Sequence, residues 1–186
     1  MGAPNDNIGF LLNQVELSNV LRRYWSDYAH WTWTIFVSRL FDLEHLPALE
    51  RRLLKNASDI ANVFRSLYGD TVANRLERVL SEHYYTLIAM SDALAKGDME
   101  TAAVLHQLLY QQLDEVVEIL GNSNSNIDKA ELQILLYDLL SLVEQEAVMI
   151  FSRQYEESTQ QYDMVYDQAM RIADYLGYAI IRQIRI

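Results

Sequence analysis

The stretch DTVANRLERVLSEHYYTLIAMSDALAK, residues 70–96, decides the fold. Its apolar positions Val72, Leu76, Val79, Leu80, Leu87, Met90 and Leu94 recur every three or four residues, and His83 falls on the same line. That spacing marks one face of an α-helix, because side chains three and four apart lie above one another. The same period returns at Leu132, Leu136, Leu139, Val143, Ala147 and Ile150. It returns again at Tyr162, Val165, Ala169, Ala173, Leu176 and Ile180. Stripes this wide fit the core of a helical bundle and not the narrow seam of a coiled coil.

Punctuation extends the reading over the whole chain. The only prolines are Pro4 and Pro47, and Gly69, Gly97 and Gly121 fall where periodic segments end. Helices exclude proline and often stop at glycine. No stretch alternates with period two or carries a hairpin turn. The expected architecture is all-α: one antiparallel bundle of five to seven helices over 15–186, after an irregular segment over 1–14. The first helix is expected over 15–41. Two shorter ones are expected over 46–55 and 58–67, broken at Asn56. The next three run over 70–96, from the cap Asp98 to Leu120, and from Asp128 to about Arg153. Gly121–Asn126 reads as a loop, Asp128 with Glu131 as a capping pair, and the last helix covers about 158–182. Arg182 and Arg185 sit at its end, where cations complement the helix dipole.

A faint repeat is visible. His30 precedes Asp59 by 29 residues, His83 precedes Asp114 by 31, and Leu139 precedes Asp167 by 28. Three diverged helical hairpins would give this spacing, and so would any amphipathic helices of similar length.

Composition narrows the chemistry. The 186 residues carry 15 Lys and Arg against 26 Asp and Glu, a net charge of −11. Of that charge −10 lies in residues 97–186. Such a chain repels nucleic-acid phosphates over most of its surface. With no cysteine, disulfides, thiolate metal sites and cysteine nucleophiles are excluded. No apolar run of membrane length and no signal-like leader are seen, so a cytoplasmic protein is expected. Phosphate loops, dinucleotide fingerprints, nucleophile elbows and zinc-protease motifs are all missing.

What remains is a site of the kind bundles build from inward carboxylates and histidines. His83 interrupts an aliphatic stripe, so its ring needs partners, whether a metal, a tyrosine or a carbonyl. Glu82 beside it pairs with Arg78 on the same helix surface. His30 closes Asp27-Tyr-Ala-His30, an acid-x-x-His spacing, among Trp25, Trp31 and Trp33. Glu146 lies on the stripe of Leu139, Leu142 and Ile150, where a carboxyl must pair, coordinate or stay protonated. Asp163, Asp167 and Asp174 line one helix, with Arg171 in reach of Asp167. Asp114 follows Tyr110 by four residues, an arrangement a hydrogen bond explains. His106 lies between core and flank, and His45 belongs to a turn. The candidate metal set is therefore His30, His83, Glu146 and Asp167, for iron, manganese or zinc. Twelve tyrosines suggest half-buried packing, a lined cavity or a flat dimer face.

The segments Tyr24-Trp-Ser-Asp-Tyr-Ala-His-Trp-Thr-Trp-Thr34, Leu67-Tyr-Gly69, Leu80-Ser-Glu-His83, Ala95-Lys-Gly-Asp98 and Ala179-Ile-Ile-Arg-Gln183 resemble a family of small, uncharacterised bacterial all-helical proteins. The resemblance spans most of the chain. Some members carry the label acetylglutamate kinase, but such kinases are larger α/β proteins with glycine-rich phosphate loops, which this chain lacks. The resemblance implies the helical fold and a bacterial cytoplasmic origin. The Glu-His usual in the family's third block reads Asp138-Leu139 here, so a three-histidine site would be depleted. Two functions follow from the residues: a core that holds a metal or small polar ligand, or a non-catalytic interaction module acting as a homodimer or scaffold. Neither reading makes it a nucleotide kinase, a nucleic-acid binder or a membrane protein.

Overall fold

The computed structural model describes residues 4–184, with side chains from residue 13 onward. Five helices follow one another: α1 (Pro4–Leu40), α2 (Leu46–Lys96), α3 (Met99–Ser123), α4 (Lys129–Phe151) and α5 (Tyr155–Ile184). Among the described residues there is no strand. Connections of two to five residues force each helix back along its predecessor. Hydrogen bonds fix the antiparallel register of the last pair. Gln161 donates to the Leu142 carbonyl at 3.0 Å and Gln168 to the Leu135 carbonyl at 2.9 Å. Seven residues forward on α5 are seven back on α4.

Helix α4 is the centre, in contact with all four others, while α1 packs on α2 and α5, and α2 on α3. One continuous core runs through the bundle, from Leu21 and Phe36 through Phe64, Leu87 and Leu132 to Ile172. No helix among the described residues is long and apolar enough to cross a membrane.

Several boundaries differ from the sequence reading. Residues 4–14, expected to be irregular, are helical, and α1 starts at Pro4, whose missing N–H costs nothing in a first turn. Residues 1–3 and Arg185 lie outside the described residues. The expected break at Asn56 is absent. That side chain is fully buried, donates to the Tyr24 carbonyl at 2.9 Å and accepts from the Tyr84 hydroxyl at 2.9 Å. A polar side chain satisfied across helices does not compete with its own backbone. The break after Tyr68 appears as a bend within α2, where Gly69 adopts φ 82° and ψ 176°. The expected loop at 121–126 begins only at Asn124, because Gly121 stays helical.

The caps follow side-chain chemistry. Gly97, at φ 71°, ends α2 by donating to the Leu94 carbonyl, while Asp98 N–H reaches the Ala93 carbonyl. Asp98 then accepts from Thr101 N–H at 3.0 Å to start α3. Asp128 accepts from the N–H groups of Ala130 and Glu131 to start α4.

Candidate functional site

Helix α4 carries Glu146 into the middle of the bundle, between the buried Val143, Ala147 and Ile150. Glu146 is 0% exposed, and neither carboxyl oxygen has a hydrogen-bond partner. Burial pushes its carboxyl up to about 8, so at neutral pH it is mostly protonated. Two tyrosines share its surroundings. Tyr28 of α1 is held well above the ordinary tyrosine range by burial and then by the Glu146 and Glu144 charges. Tyr162 of α5 is raised by burial and then by Glu146, Tyr166 and Asp163.

His83 lies inside the second arm of α2 and is 3% exposed. Burial lowers its imidazole to about 4, against a smaller opposing effect from the Leu109 backbone. Its Nδ1 has no hydrogen-bond partner, nor does Trp25 Nε1. Both residues line a small cavity of about 20 Å³ shared by α1, α2, α3 and α4. That is room for about one water molecule. Tyr28 lines the same cavity, so it stands beside His83 and within the field of Glu146. Its ring lies 5.5 Å from that of Tyr84, whose hydroxyl is held by Asn56.

The other two residues of the expected metal set lie elsewhere. His30 and Asp167 are exposed. His30 stands two residues from both Tyr28 and Thr32, which face inward, and two residues turn a helix by roughly 200°. Asp167 likewise precedes the inward Gln168 and Ala169. Asp27, which would complete an acid-x-x-His pair, is bound to Arg52 at 2.6 Å. His30, His83, Glu146 and Asp167 thus do not converge. Among the described residues, no group of three or more His, Asp or Glu side chains is placed to hold a metal ion. The expected iron, manganese or zinc centre finds no ligand set here.

His30 belongs to a different feature. With Trp33 of α1 and Thr159, Gln160, Tyr162 and Asp163 of α5 it lines a surface pocket of about 430 Å³. The Trp33 and Tyr162 rings meet edge to face, 5.9 Å apart at 61°. The pocket and the buried carboxyl are neighbours through Tyr162.

The remaining candidates have local partners. Glu82 binds Arg78, which also reaches Glu115. Asp114 accepts from the Tyr137 hydroxyl at 2.6 Å and from Gln133 at 2.7 Å, not from Tyr110. Tyr110 instead hydrogen-bonds Glu144, which also meets His106 Nδ1 at 2.7 Å. Asp174 forms an exposed two-point bridge with Arg22. His45 Nε2 lies 3.4 Å from the Ser38 hydroxyl, within the turn before α2. Glu144 and Tyr28 carry no periodic signal that marks them out, because their partners come from other helices.

Compared with protein-family models, curated proteins and solved structures, the chain matches none.

Proposed function

We propose that this protein binds a small polar ligand, and that Glu146 is the group that meets it. The observation that carries this reading is a carboxyl that is 0% exposed with both oxygens unpartnered. Leaving a buried polar group unsatisfied costs about 1–3 kcal/mol, and leucine at the same place would cost nothing of the kind. A neutral acid in that position can donate one hydrogen bond and accept others, which suits an organic ligand better than a metal ion. His83, kept neutral by burial, is the second polar group of the interior. The reading calls for no catalysis, no nucleotide chemistry and no nucleic acid, and it suits a bacterial cytoplasmic protein. The bend at Gly69 divides α2 into two arms, which supports reading the bundle as three diverged helical hairpins.

The test is a compound screen by thermal shift on the wild type and on Glu146→Leu, with elemental analysis of untagged protein. Stabilising hits lost in Glu146→Leu, without stoichiometric metal, support the reading. Hits retained unchanged in Glu146→Leu remove Glu146 from binding. A second reading, the homodimeric interaction module, is favoured by the apolar residues Met99, Val104, Leu108 and Val148, all exposed on α3 and α4. A concentration-dependent dimer dissociated by Val104→Glu would favour it.

A further inference from the structure

We propose that the pocket between α1 and α5 binds a small organic cation, with its ammonium group against Trp33 and Tyr162 and its charge paired with Asp163. This rests on the reading that the bundle binds a small ligand, but not on Glu146, which is fully buried and does not line the pocket. Three observations on the pocket point the same way.

The first is shape. A volume of about 430 Å³ falls in the range that small molecules occupy. The second is the aromatic corner. Trp33 and Tyr162 meet edge to face at 61° and both line the pocket, so an ammonium group seated there lies beside two aromatic rings. Aromatic walls of this kind attract cations through the ring quadrupole, most strongly for tryptophan. The third is charge. Asp163 lines the pocket and forms no ion pair among the described residues. Neither lysine nor arginine is among the lining residues. An anion would face the unpaired Asp163, and a neutral apolar ligand would leave Asp163 unused.

Choline and its neutral carbon isostere, 3,3-dimethylbutan-1-ol, have nearly the same shape and differ in charge. Isothermal titration of each into the full-length protein at fixed ionic strength isolates the charge. Saturable choline binding, with the isostere about tenfold weaker or more, is the expected result. Asp163→Asn is expected to weaken choline several-fold and Trp33→Leu about tenfold. Asp163 is exposed, so its variant keeps the fold even if Trp33→Leu does not. Equal binding of the two compounds overturns the cation. Choline binding unchanged in both variants overturns the location. Absence of saturable choline binding at millimolar concentration overturns the proposal, and Glu146-dependent hits in the compound screen would then still stand. Choline binding that survives Glu146→Leu supports the pocket independently of Glu146, so the two readings fail separately.

Discussion

Glu146 and His83 titrate in opposite senses, and this gives the bundle a stability profile that can be measured. The Glu146 carboxyl rises from an ordinary 4.5 to about 8 in the folded chain. The folded state therefore holds a proton that the unfolded state releases, and stability falls as pH rises from about 4.5 to about 8. His83 drops from 6.5 to about 4, so its contribution is present above 6.5 and is lost as pH falls toward 4. Between about 4.5 and 6.5 the two slopes oppose one another, and above 6.5 only the loss from Glu146 remains. Urea denaturation across pH is expected to show a shoulder and then a decline toward pH 8. Glu146→Gln should flatten the alkaline decline, apart from a smaller slope from Glu144, which burial also raises. His83→Leu should remove the acid-side loss and leave the alkaline side alone. A wild type whose stability climbs steadily from pH 5 to 8 would contradict the assignment. The two residues were legible in the sequence because each breaks an aliphatic stripe. His30 and Asp167 were not, because a histidine among tryptophans and an aspartate among tyrosines look alike on either face of a helix.

Helix α2 spans 51 residues as two arms joined at Gly69, and the joint is a backbone property. At φ 82° and ψ 176° Gly69 occupies a region that only glycine enters without strain. An added Cβ would meet nothing within 4 Å, so any cost of substitution belongs to the backbone alone. Gly69→Ala is expected to destabilise by about 1–3 kcal/mol in denaturant titration. Gly177 makes the contrast. It lies within α5, and a Cβ there would stand 3.5 Å from Leu21 and 3.6 Å from the Ser18 hydroxyl, in ordinary contact. Gly177→Ala should be neutral or stabilise by about 0.5–1 kcal/mol, since alanine is the better helix former. Equal losses at both sites would mean that packing, not conformation, sets the effect. The bend was legible because glycine's freedom is local. The continuity of α2 through Asn56 was not, because asparagine's preference for turns is outweighed by Tyr24 and Tyr84, 32 and 28 residues away.

Across the whole molecule, one end of the bundle is tied by a single side chain. Asn124, 1% exposed in the connection between α3 and α4, donates to the Ala179 carbonyl at 3.0 Å and lies 3.1 Å from the Tyr68 hydroxyl oxygen, to which it also donates. Its carbonyl oxygen accepts from Asn126 N–H at 2.9 Å. Tyr68 in turn donates to Gln183 at 2.8 Å. The bend of α2, the α3–α4 connection and the last turns of α5 therefore share one hydrogen-bonded joint. No stretch of sequence announces it, because its members lie 56 and 55 residues from Asn124 in opposite directions. Removing the Asn124 side chain deletes its bonds to Ala179, Tyr68 and Asn126 at once, each worth about 0.5–1.5 kcal/mol. Asn124→Ala is thus expected to lose more than Tyr68→Phe, which removes only the outer bonds, and Gln183→Ala should lose least. Because the joint spans three helices, the Asn124 variant should also raise hydrogen exchange in the C-terminal turns of α5 together with those flanking Gly69. Faster exchange confined to residues beside position 124, with α5 unchanged, would show that the joint is local and that the apolar core alone holds this end of the bundle together.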